Sequence, residues 1–387
     1  MIVVIADDLA GAAEMGGMAW RHGLTAEVQL ELDASTDVDL IVVDTDTRSC
    51  TAEEAARRVA SVAELCRERA IKRVYKKVDS VLRGQVAAEL TAWLETSGQS
   101  RILLVPANPG LGRVLSGGRY YVKGIPLHET DFAKDPEYPA TTSDVLDLLA
   151  PADPWPVQIL RPGETMPNRG IVVGEATDQA DLVAWAATLD DSTLSAGASE
   201  FFGAFLRACG FRLAERPPIE IEATQQTSDL CVCGSTSSYS RSLCERYESQ
   251  GIPILRMPPG LFGVGPLVTR LVQDWADAAV SALESHPRVM VAIDRPLCRD
   301  PGMPQILSSH LGAVVEQILS RHSVGRLYVE GGATAAALVR QLGWKCLRVR
   351  WEWATGVVSM QTKGQAHPLL TMKPGSYAWP DEILAFP

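Results

Sequence analysis

Several signatures of common protein classes are missing from this chain of 387 residues. Its eight cysteines include no Cys-x-x-Cys pair and its six histidines no His-Glu-x-x-His motif, so the sequence predicts neither a disulfide framework nor a zinc site. Basic residues are also outnumbered, because 36 Lys and Arg stand against 47 Asp and Glu, a net charge of −11. Proteins dedicated to nucleic acids usually carry the opposite sign, so we expect no nucleic-acid partner.

Long hydrophobic runs are missing as well. The first apolar run, Ile2–Ile5, is followed almost at once by Asp7 and Asp8, a pattern that fits neither a signal peptide nor a membrane-spanning helix. No later run is long enough to cross a bilayer. Because cysteines outside disulfides are typical of reducing compartments, the sequence predicts a cytoplasmic protein that does not bind membranes.

The chain does contain an alternation of short β-branched runs with segments of helical periodicity. One such segment, Thr51–Ala70, begins with Thr-x-x-Glu and carries apolar residues at helical spacing, which predicts a crossover helix. The alternation predicts an α/β fold in which a largely parallel sheet is flanked by helices. The predicted strands of the first half are Ile2–Ile5, Leu40–Val43, Val74–Val78, Ile102–Val105 and Ile171–Val173.

A polar stretch with two adjacent prolines, Glu215–Asp229, interrupts this alternation, which then resumes. The sequence therefore predicts an N-terminal domain over residues 1–214, a linker over 215–229 and a C-terminal domain over 230–387. Each domain is expected to have its own largely parallel sheet, with an active-site cleft between them. The later predicted strands are Leu230–Cys233, Ile252–Met257, Val289–Ile293, Leu327–Val329 and Leu347–Val349, and the predicted helices are Leu311–Ser320 and Thr334–Leu342.

Two carboxylates, Asp7 and Asp8, follow the first predicted strand directly. Ligands of parallel α/β sheets collect at the carboxyl ends of the strands, so residues in this position are candidates for chemistry. The pair could hold Mg²⁺, accept a hydrogen bond from a substrate hydroxyl, or remove the proton of that hydroxyl. The alternative is structural, because aspartate is also a favoured helix N-cap.

Four cations lie at the ends of the next two predicted strands, namely Arg48, Lys76, Lys77 and Arg83. Arginine can bind a carboxylate through two parallel hydrogen bonds, and lysine supplies a compact positive charge. A solvated surface position is the alternative for any one of them. Their convergence on one sheet edge favours a binding site for a small anion.

A long segment rich in Pro and Gly follows Val105 and extends to Thr130. Its composition predicts a structured loop or hairpin, and long ordered loops often contribute to binding sites. His128 lies within it and could serve as a base, although a lone histidine is more often structural.

Glycine-rich turns mark the second half of the chain. They contain Ser235, the run Gly331, Gly332, Ala333 and Thr334, and Gly375. A glycine turn that opens a helix can direct backbone N–H groups at a phosphate. The chain contains neither Gly-x-Gly-x-x-Gly nor Gly-x-x-x-x-Gly-Lys-Ser/Thr, so the sequence predicts neither a standard dinucleotide fold nor a P-loop.

Eight segments, taken in order, resemble those of the four-carbon acid sugar kinase family. They are ADDLAGA, DTDTR, YKKVDSVLRG, VPANPGLGR, GIPLHETDFAKDP, CGSTSS, EGGATA and KPG, and they extend from near the N-terminus to Gly375. The resemblance implies an N-terminal domain for the sugar acid and a C-terminal domain for ATP, with Mg²⁺ bridging the ATP phosphates. It also implies phosphorylation of the terminal (C4) hydroxyl of threonate, erythronate or 3-oxo-tetronate. The chain departs from the family pattern at Ala10 and in the tail KPGSYAWP.

The resemblance further implies roles for individual residues. It assigns Asp7, Arg48, Lys76, Lys77, Asp79, Ser80 and Arg83 to the sugar acid, and Ser235, Gly331, Gly332, Ala333, Thr334 and Gly375 to ATP. Asp8 is expected to orient and deprotonate the terminal hydroxyl, with Asp79 as the second candidate base. The small-residue segment Ser195–Ser199 is expected to face the nucleotide.

Two alternatives from other functional classes remain open at this stage. The residues Asp44 and Asp46 resemble the start of an aspartyl-phosphate phosphatase motif, although Arg48 stands where that motif has Thr or Val. A non-catalytic sensor of sugar acids is the other alternative. The sequence also leaves the oligomeric state open, and a homo-oligomer is compatible with it.

Overall fold

The structure, a computed structural model, describes residues 1–135, 137–149, 155–215, 228–235, 238–262, 267–294, 302–365, 368–375 and 377–384. The chain divides into two compact units, Met1–Glu215 and Arg216–Pro387. Each unit has a mainly parallel sheet with helices packed against it, which confirms the predicted α/β class. Among the helices of these residues, none is both long and apolar enough to cross a membrane.

The first unit alternates strands and helices. Its strands are β1 (Ile2–Ala6), β2 (Ala26–Gln29), β3 (Leu40–Asp44), β4 (Val74–Lys77), β5 (Arg101–Val105), β6 (Arg113–Ser116), β7 (Arg119–Val122), β8 (Ile125–Pro126), β9 (Val157–Leu160), β10 (Gly170–Gly174) and β11 (Thr193–Gly197). Its helices are α1 (Leu9–Arg21), α2 (Ala52–Glu68), α3 (Val86–Ser97), α4 (Val145–Leu149), α5 (Gln179–Ala186) and α6 (Ser199–Ala208). The predicted crossover helix is α2, and Thr51 caps it by accepting a hydrogen bond from the Glu54 amide.

The main sheet of this unit has the strand order β2-β3-β1-β4-β11-β5-β10-β9. All of these pairings are parallel, so the carboxyl ends of neighbouring strands lie at one edge. In the register of β1, Ala6 lies opposite Asp44 of β3, and Ile5 lies opposite Lys76 of β4. Strands β6, β7 and β8 form a separate antiparallel sheet, which confirms the hairpin predicted in the segment rich in Pro and Gly.

Side chains cover both faces of this sheet, as parallel sheets require. On one face, a continuous apolar core includes Val3, Ile5 and Leu104 of the strands together with Leu90 and Trp93 of α3. The opposite face is dominated by an aromatic cluster, in which the Tyr75 ring lies 4.9 to 6.1 Å from the rings of Phe201, Phe202 and Phe205 of α6. Burying these large side chains stabilises the sheet and thereby fixes the positions of the strand ends.

The second unit is built in the same manner. Its strands are β12 (Ser228–Cys233), β13 (Ile254–Arg256), β14 (Arg288–Ala292), β15 (Val324–Glu330), β16 (Cys346–Ala354), β17 (Val357–Thr362) and β18 (Leu369–Lys373). Its helices are α7 (Ser238–Ser249), α8 (Val268–Ser285), α9 (Met303–Arg321), α10 (Gly332–Gln341) and α11 (Asp381–Leu384). The strand order is β13-β14-β12-β15-β18-β17-β16, parallel as far as β18 and antiparallel beyond it.

The predicted linker requires a correction at its carboxyl end. Residues 216–227 of it lie outside the described residues, but Ser228 and Asp229 already belong to β12. Asp229 is only 1% exposed, and its carboxylate accepts hydrogen bonds from Arg288 at 2.8 Å and from Arg326 at 2.7 Å. A buried carboxylate that is paired with two arginines is part of the folded sheet. Exposing Asp229 alone, as in a linker, would leave the buried charge of Arg288 without its partner.

Outside the segment predicted to be a structured loop or hairpin, five strands were not predicted from the sequence, namely β2, β9, β11, β17 and β18. Strand β2 shows the physical reason, because two of its four residues are polar and nevertheless buried. The Gln29 side-chain amide donates to the Glu27 carboxylate at 3.0 Å, which satisfies both groups inside the sheet. Strand β11 consists mainly of small residues and lacks the β-branched run that usually marks a strand.

Candidate active site

The carboxyl ends of β1, β3 and β4 form a polar edge on the first unit. Asp7 and Asp8 follow β1, Arg48 follows β3 after a short turn, and Asp79 follows β4. Because β1 lies between the other two strands, the fold brings together residues from three separate segments. The sequence predicted this convergence from the rule that parallel strand ends share one edge.

Arg48 connects the carboxylates of this edge. Its Nε and Nη2 donate to the two carboxylate oxygens of Asp7 at 2.8 and 3.0 Å, and its Nη1 donates to Asp8 at 2.6 Å. Nη2 also lies 3.9 Å from Oδ1 of Asp79. Burial opposes the charge on the guanidinium, but these carboxylates outweigh it and raise the pKa of Arg48 well above its ordinary value. Burial likewise opposes ionisation of Asp7, yet Arg48 and the nearby lysines lower the pKa of that carboxyl overall.

Asp8 differs from its neighbours in accessibility. Its side chain is 25% exposed, against 3% for Asp7 and 7% for Asp79. It caps α1, because its Oδ1 accepts a hydrogen bond from the Gly11 amide at 2.8 Å. Asp8 is therefore both the helix N-cap of the structural alternative and the most reachable of these three carboxylates.

Asp79 is held more firmly than Asp8. Its carboxylate accepts hydrogen bonds from the backbone amides of Val81 and Arg83 and from Nε and Nη2 of the Arg83 side chain at 3.0 and 2.8 Å. Burial opposes its ionisation, but Arg83 and Arg48 keep the pKa of Asp79 well below its ordinary value. A carboxylate stabilised by this many donors is a weak proton acceptor.

The turn after Asp79 depends on Gly84. This residue has φ +89°, and an added Cβ would lie 3.2 Å from Cγ and 3.3 Å from Cα of Arg48. A side chain here would be strained and would press on Arg48. The glycine of the segment YKKVDSVLRG thus sets the distance between the turns that follow β3 and β4.

Lys76 lies beneath this edge. Its side chain is 1% exposed, and its Nζ lies 3.0 Å from Oε2 of Glu89 in α3. The Thr47 hydroxyl donates to the other oxygen of Glu89. Burial raises the pKa of Glu89, and Lys76 offsets part of that rise. The structure therefore places Lys76 in an internal ion pair below Asp7, whereas the sequence predicted a direct contact with the ligand.

Two other cations of this edge lack a carboxylate partner within 4.0 Å among the described residues, namely Lys77 and Arg113. The Lys77 ammonium donates to the Val78 carbonyl at 2.8 Å and lies close to Gly11, which bonds to Asp8. The Arg113 guanidinium donates to the Ser80 hydroxyl and lies 5.3 Å from the centre of the Phe132 ring. Their positive charges are available to an anionic ligand.

The first unit thus gathers all eight residues that the resemblance assigned to it: Asp7, Asp8, Arg48, Lys76, Lys77, Asp79, Ser80 and Arg83. His128 has a structural environment, because its Nδ1 lies 2.7 Å from the Ser143 hydroxyl. The segment Ser195–Ser199 runs through β11 into α6, with Ser195 in the middle of the strand.

Four further residues contact this set but were not predicted from the sequence: Glu89, Arg113, Asp135 and Tyr138. Asp135 accepts a hydrogen bond from Arg83 at 2.9 Å, and the Tyr138 hydroxyl donates to the Arg48 carbonyl. A weak signal existed for Glu89, because it is a lone acid on the face of α3 that buries Val86 and Leu90. Asp135 and Tyr138 lie on loops and Arg113 begins the hairpin strand β6, and only the folded chain decides how closely these segments approach the site.

In the second unit, three turns meet at the ends of β12, β15 and β18, which are neighbours in the sheet. A Cβ on Gly234 would overlap the Thr334 hydroxyl, and a Cβ on Gly375 would lie 2.8 Å from Oγ of Ser235. Gly331, with φ +106°, leads directly into α10. The turns therefore approach one another as closely as they do only because glycine occupies these positions.

A buried ion pair supports these turns. Glu330 and Lys373 lie opposite each other in β15 and β18, and their charged groups are 3.2 Å apart with almost no exposure to solvent. The indole Nε1 of Trp379 donates to Glu330 at 3.1 Å, and the Ser240 hydroxyl donates to the same carboxylate. Burial lowers the pKa of Lys373, and Glu330 offsets part of that change. Gly331 and Pro374 follow these two residues directly, so the pair fixes where both turns begin.

The arrangement in the second unit fits a phosphate-bearing ligand. The first amides of α10 have no partner within the helix, and glycine leaves the backbone of the adjoining turns uncovered. A protein-held metal fits less well, because the described residues contain no group of three or more His, Cys, Asp or Glu suited to a metal ion. Asp7 and Asp8, the candidates for such a role, are engaged by Arg48.

Comparison with known proteins agrees with the division into two units. Residues 2–205 match the family model of a sugar-binding N-terminal domain, and residues 230–377 match that of a nucleotide-binding C-terminal domain. The chain is 31% identical to a D-threonate kinase of Cupriavidus necator, over 92% of this chain and 89% of that protein. A D-threonate kinase of Salmonella typhimurium is 29% identical, over 91% of this chain and 89% of its own length. A 3-oxo-tetronate kinase of Methylobacterium radiotolerans is 25% identical, over 97% and 96%.

The fold is shared with a protein of known structure from Haemophilus influenzae, described as a member of the family DUF1537. The TM-score is 0.70 at 18% identity, and the match covers 97% of this chain and 96% of that protein. Two observations decide the family assignment. The two domain models together cover most of the sequence, and one relative is more than 30% identical over most of its length. The chain therefore belongs to the four-carbon acid sugar kinase family, which confirms the resemblance found in its sequence.

Proposed function

We propose that this protein is an ATP-dependent kinase that phosphorylates the terminal hydroxyl of a four-carbon sugar acid. The observation that carries the proposal is the edge of the first unit, where Lys77 and Arg113 lack carboxylate partners among the described residues and Asp8 stays accessible. Such a site supplies what the reaction needs, namely cations for the acid group and a proton acceptor for the hydroxyl. The kinase names of full-length relatives support the same assignment.

The residues of the first unit divide into binding and positioning roles. Lys77 and Arg113 bind the carboxylate of the acid, and Ser80 contributes a hydroxyl beside Arg113. Arg48 and Arg83 are already bonded to Asp7, Asp8 and Asp79, and their remaining N–H groups can reach the hydroxyls of the acid. Lys76 has a positioning role without contacting the ligand. Its buried charge stabilises ionised Asp7, which in turn holds Arg48 in place.

Asp8 is the proposed base for the terminal hydroxyl. Its Oδ2 bonds to Arg48 and its Oδ1 to the Gly11 amide, which fixes the orientation of the carboxylate while a quarter of the side chain remains exposed. Asp79 is the weaker candidate, since four donors hold it and its pKa lies well below the ordinary range. The geometry thus favours Asp8 between the two carboxylates.

In the second unit, the proposed phosphate site consists of Ser235, Gly331, Gly332, Ala333, Thr334 and Gly375. ATP supplies the transferred phosphoryl group, and Mg²⁺ bound to its phosphates neutralises part of their charge. The amides of Gly332, Ala333 and Thr334 open α10 and point toward its N-terminal end, where an anion is favoured. The hydroxyl of Ser235 adds a donor from the neighbouring turn.

The phosphatase alternative finds less support in the local geometry. Asp44, which would be the nucleophile, is 2% exposed, and its carboxylate accepts a hydrogen bond from the Asp46 amide at 3.0 Å. A nucleophilic carboxylate must reach the phosphorus atom of its substrate, so burial argues against this role. Arg48 is likewise occupied by Asp7 and Asp8.

The function is tested by measuring ADP release with Mg-ATP and each isomer of threonate, erythronate and 3-oxo-tetronate. We expect acid-dependent ADP formation with at least one of them, and a product phosphorylated at C4. Incubating the phosphorylated acids without nucleotide serves as the control, because a phosphatase would release phosphate there. Absence of ADP formation with every acid would contradict the substrate class and would favour a non-catalytic sensor.

The role of Asp8 is tested by Asp8→Asn. Asparagine caps helices as well as aspartate does, so α1 should persist while the proton acceptor is lost. We expect kcat to fall by about 10²-fold to 10⁴-fold, the usual contribution of a general base. Asp178→Asn is the matched control, because Asp178 caps α5 in the same way and lies outside the site. A near-normal kcat for Asp8→Asn would transfer the role to Asp79.

The role of Arg113 is tested by Arg113→Met, which replaces the aliphatic part of the side chain and removes the charged guanidinium. We expect KM for the acid to rise by about tenfold with a smaller change in kcat, since a hydrogen bond from a charged donor typically contributes that much binding. Arg119→Met on the neighbouring strand is the control and should leave KM unchanged. A fall in kcat at constant KM would instead place Arg113 at the transferring phosphate.

The role of the glycine turns is tested by Gly331→Ala. The added methyl group would approach the Thr334 hydroxyl to 3.3 Å, so we expect KM for ATP to rise by about tenfold while KM for the acid stays unchanged. Gly343→Ala is the control, because Gly343 also has a positive φ of +65° but has open space where its Cβ would be. Equal effects of the two variants on KM for ATP would remove the turn from the nucleotide site.

A further inference from the structure

A cavity of about 630 Å³ opens in the first unit at the edge opposite the site described above. Lys72 and Arg73, which precede β4, and Asp190 and Asp191, which precede β11, lie at this edge. The cavity extends between the sheet and helices α5 and α6. Its apolar walls are formed by Ala186, Leu189, Ala204, Phe205 and Ala208. A volume of this size is typical of sites for small organic molecules.

Ser195 provides a polar group inside this cavity. Successive strand residues point to opposite faces, and Leu194 and Ala196 belong to the apolar core on the other face. Thr193 and Ser195 therefore face the cavity that they line. Ser195 is only 2% exposed, and its hydroxyl has no hydrogen-bond partner within the described part of the chain. The hydroxyl oxygen is not sealed from solvent, so it is free to hydrogen-bond to a molecule in the cavity.

Three exposed cations stand at the mouth of the cavity: Lys72, Arg73 and Arg207. None of them forms an ion pair with a carboxylate of the described residues. Of the two acids beside them, Asp190 is already paired with Arg101 at 2.7 Å. The mouth therefore carries an excess of positive charge, in contrast to the acidic protein as a whole.

We propose that this cavity binds a small organic anion with an apolar body. The acidic group pairs with Arg73 and Arg207 at the mouth, and the apolar body lies against Leu189 and Phe205. A polar atom at the inner end bonds to the Ser195 hydroxyl. This site is distinct from the proposed kinase site, since none of its lining residues takes part in the contacts at the carboxyl ends of β1, β3 and β4.

The proposal is tested with two fluorescent probes that share one ring system, 8-anilinonaphthalene-1-sulfonate, an anion, and N-phenyl-1-naphthylamine, which is uncharged. Both are titrated into the full-length protein, and the dissociation constants are compared. We expect the anion to bind at least about tenfold more tightly, because one charge-assisted hydrogen bond is worth that much. Equal affinity for the two probes would overturn the assignment to anions.

Charge reversal at the mouth supplies the second test. Arg73→Glu and Arg207→Glu should each weaken binding of the anionic probe by about tenfold and leave the uncharged probe within about twofold. Arg69→Glu is the matched control, because Arg69 is exposed on the same unit but does not line the cavity. An equal loss in Arg69→Glu would show a general effect of net charge and would overturn the proposal.

The location is tested by Ala204→Trp, which fills the cavity from α6. We expect both probes to lose binding while far-ultraviolet circular dichroism and the thermal midpoint show a folded protein. Should this variant unfold, Ser195→Leu fills the same space from the sheet and carries the same expectation. Unchanged binding of both probes to a folded, filled variant would place them elsewhere and would overturn the proposal.

Discussion

The bonds between Arg48 and its two aspartates are the constraint on which the first unit's polar edge depends. Asp7 is buried, and a buried carboxylate is tolerated only when a cation and hydrogen bonds compensate it. Arg48 provides both, and in doing so it joins the turns after β1 and β3 and lies within 3.9 Å of Asp79 after β4. The accessible carboxylate of Asp8 is oriented by the same guanidinium, so the residues proposed for binding and for proton transfer share one support.

The second unit uses a buried ion pair for a similar purpose. Glu330 and Lys373 are the last residues of neighbouring strands, and each precedes one of the turns. Trp379, from the tail that departs from the family pattern, bonds to Glu330 and thereby ties the C-terminal segment to the base of these turns. Rigid strands with paired ends hold flexible glycine backbone in a defined position, which is what a phosphate site built from amide groups requires.

The charged residues show which features of the site could be predicted from the sequence and which could not. The alternating pattern predicted the parallel sheets and the polar edge, and the family resemblance assigned to that edge eight residues that the fold places near one another. The sequence predicted that four cations together bind an anion. In the fold, three of them, Arg48, Arg83 and Lys76, are paired with carboxylates of the protein itself. Lys77 has no carboxylate partner among the described residues, and Arg113, which has none there either, reaches this edge from a separate hairpin. Ion pairing depends on distances of a few ångströms between remote segments, which periodicity does not encode.

The sequence by itself determined the α/β class, the family and the strand ends at which chemistry is placed, because these follow from local periodicity and from motifs read in order. Only the tertiary structure decided which carboxylate remains accessible, which cations lack a carboxylate partner, and that Ser195 lines a cavity. Local pattern reports which face of an element is buried. The partners on that face come from elements far away in the chain, and their packing decides the electrostatics of each site.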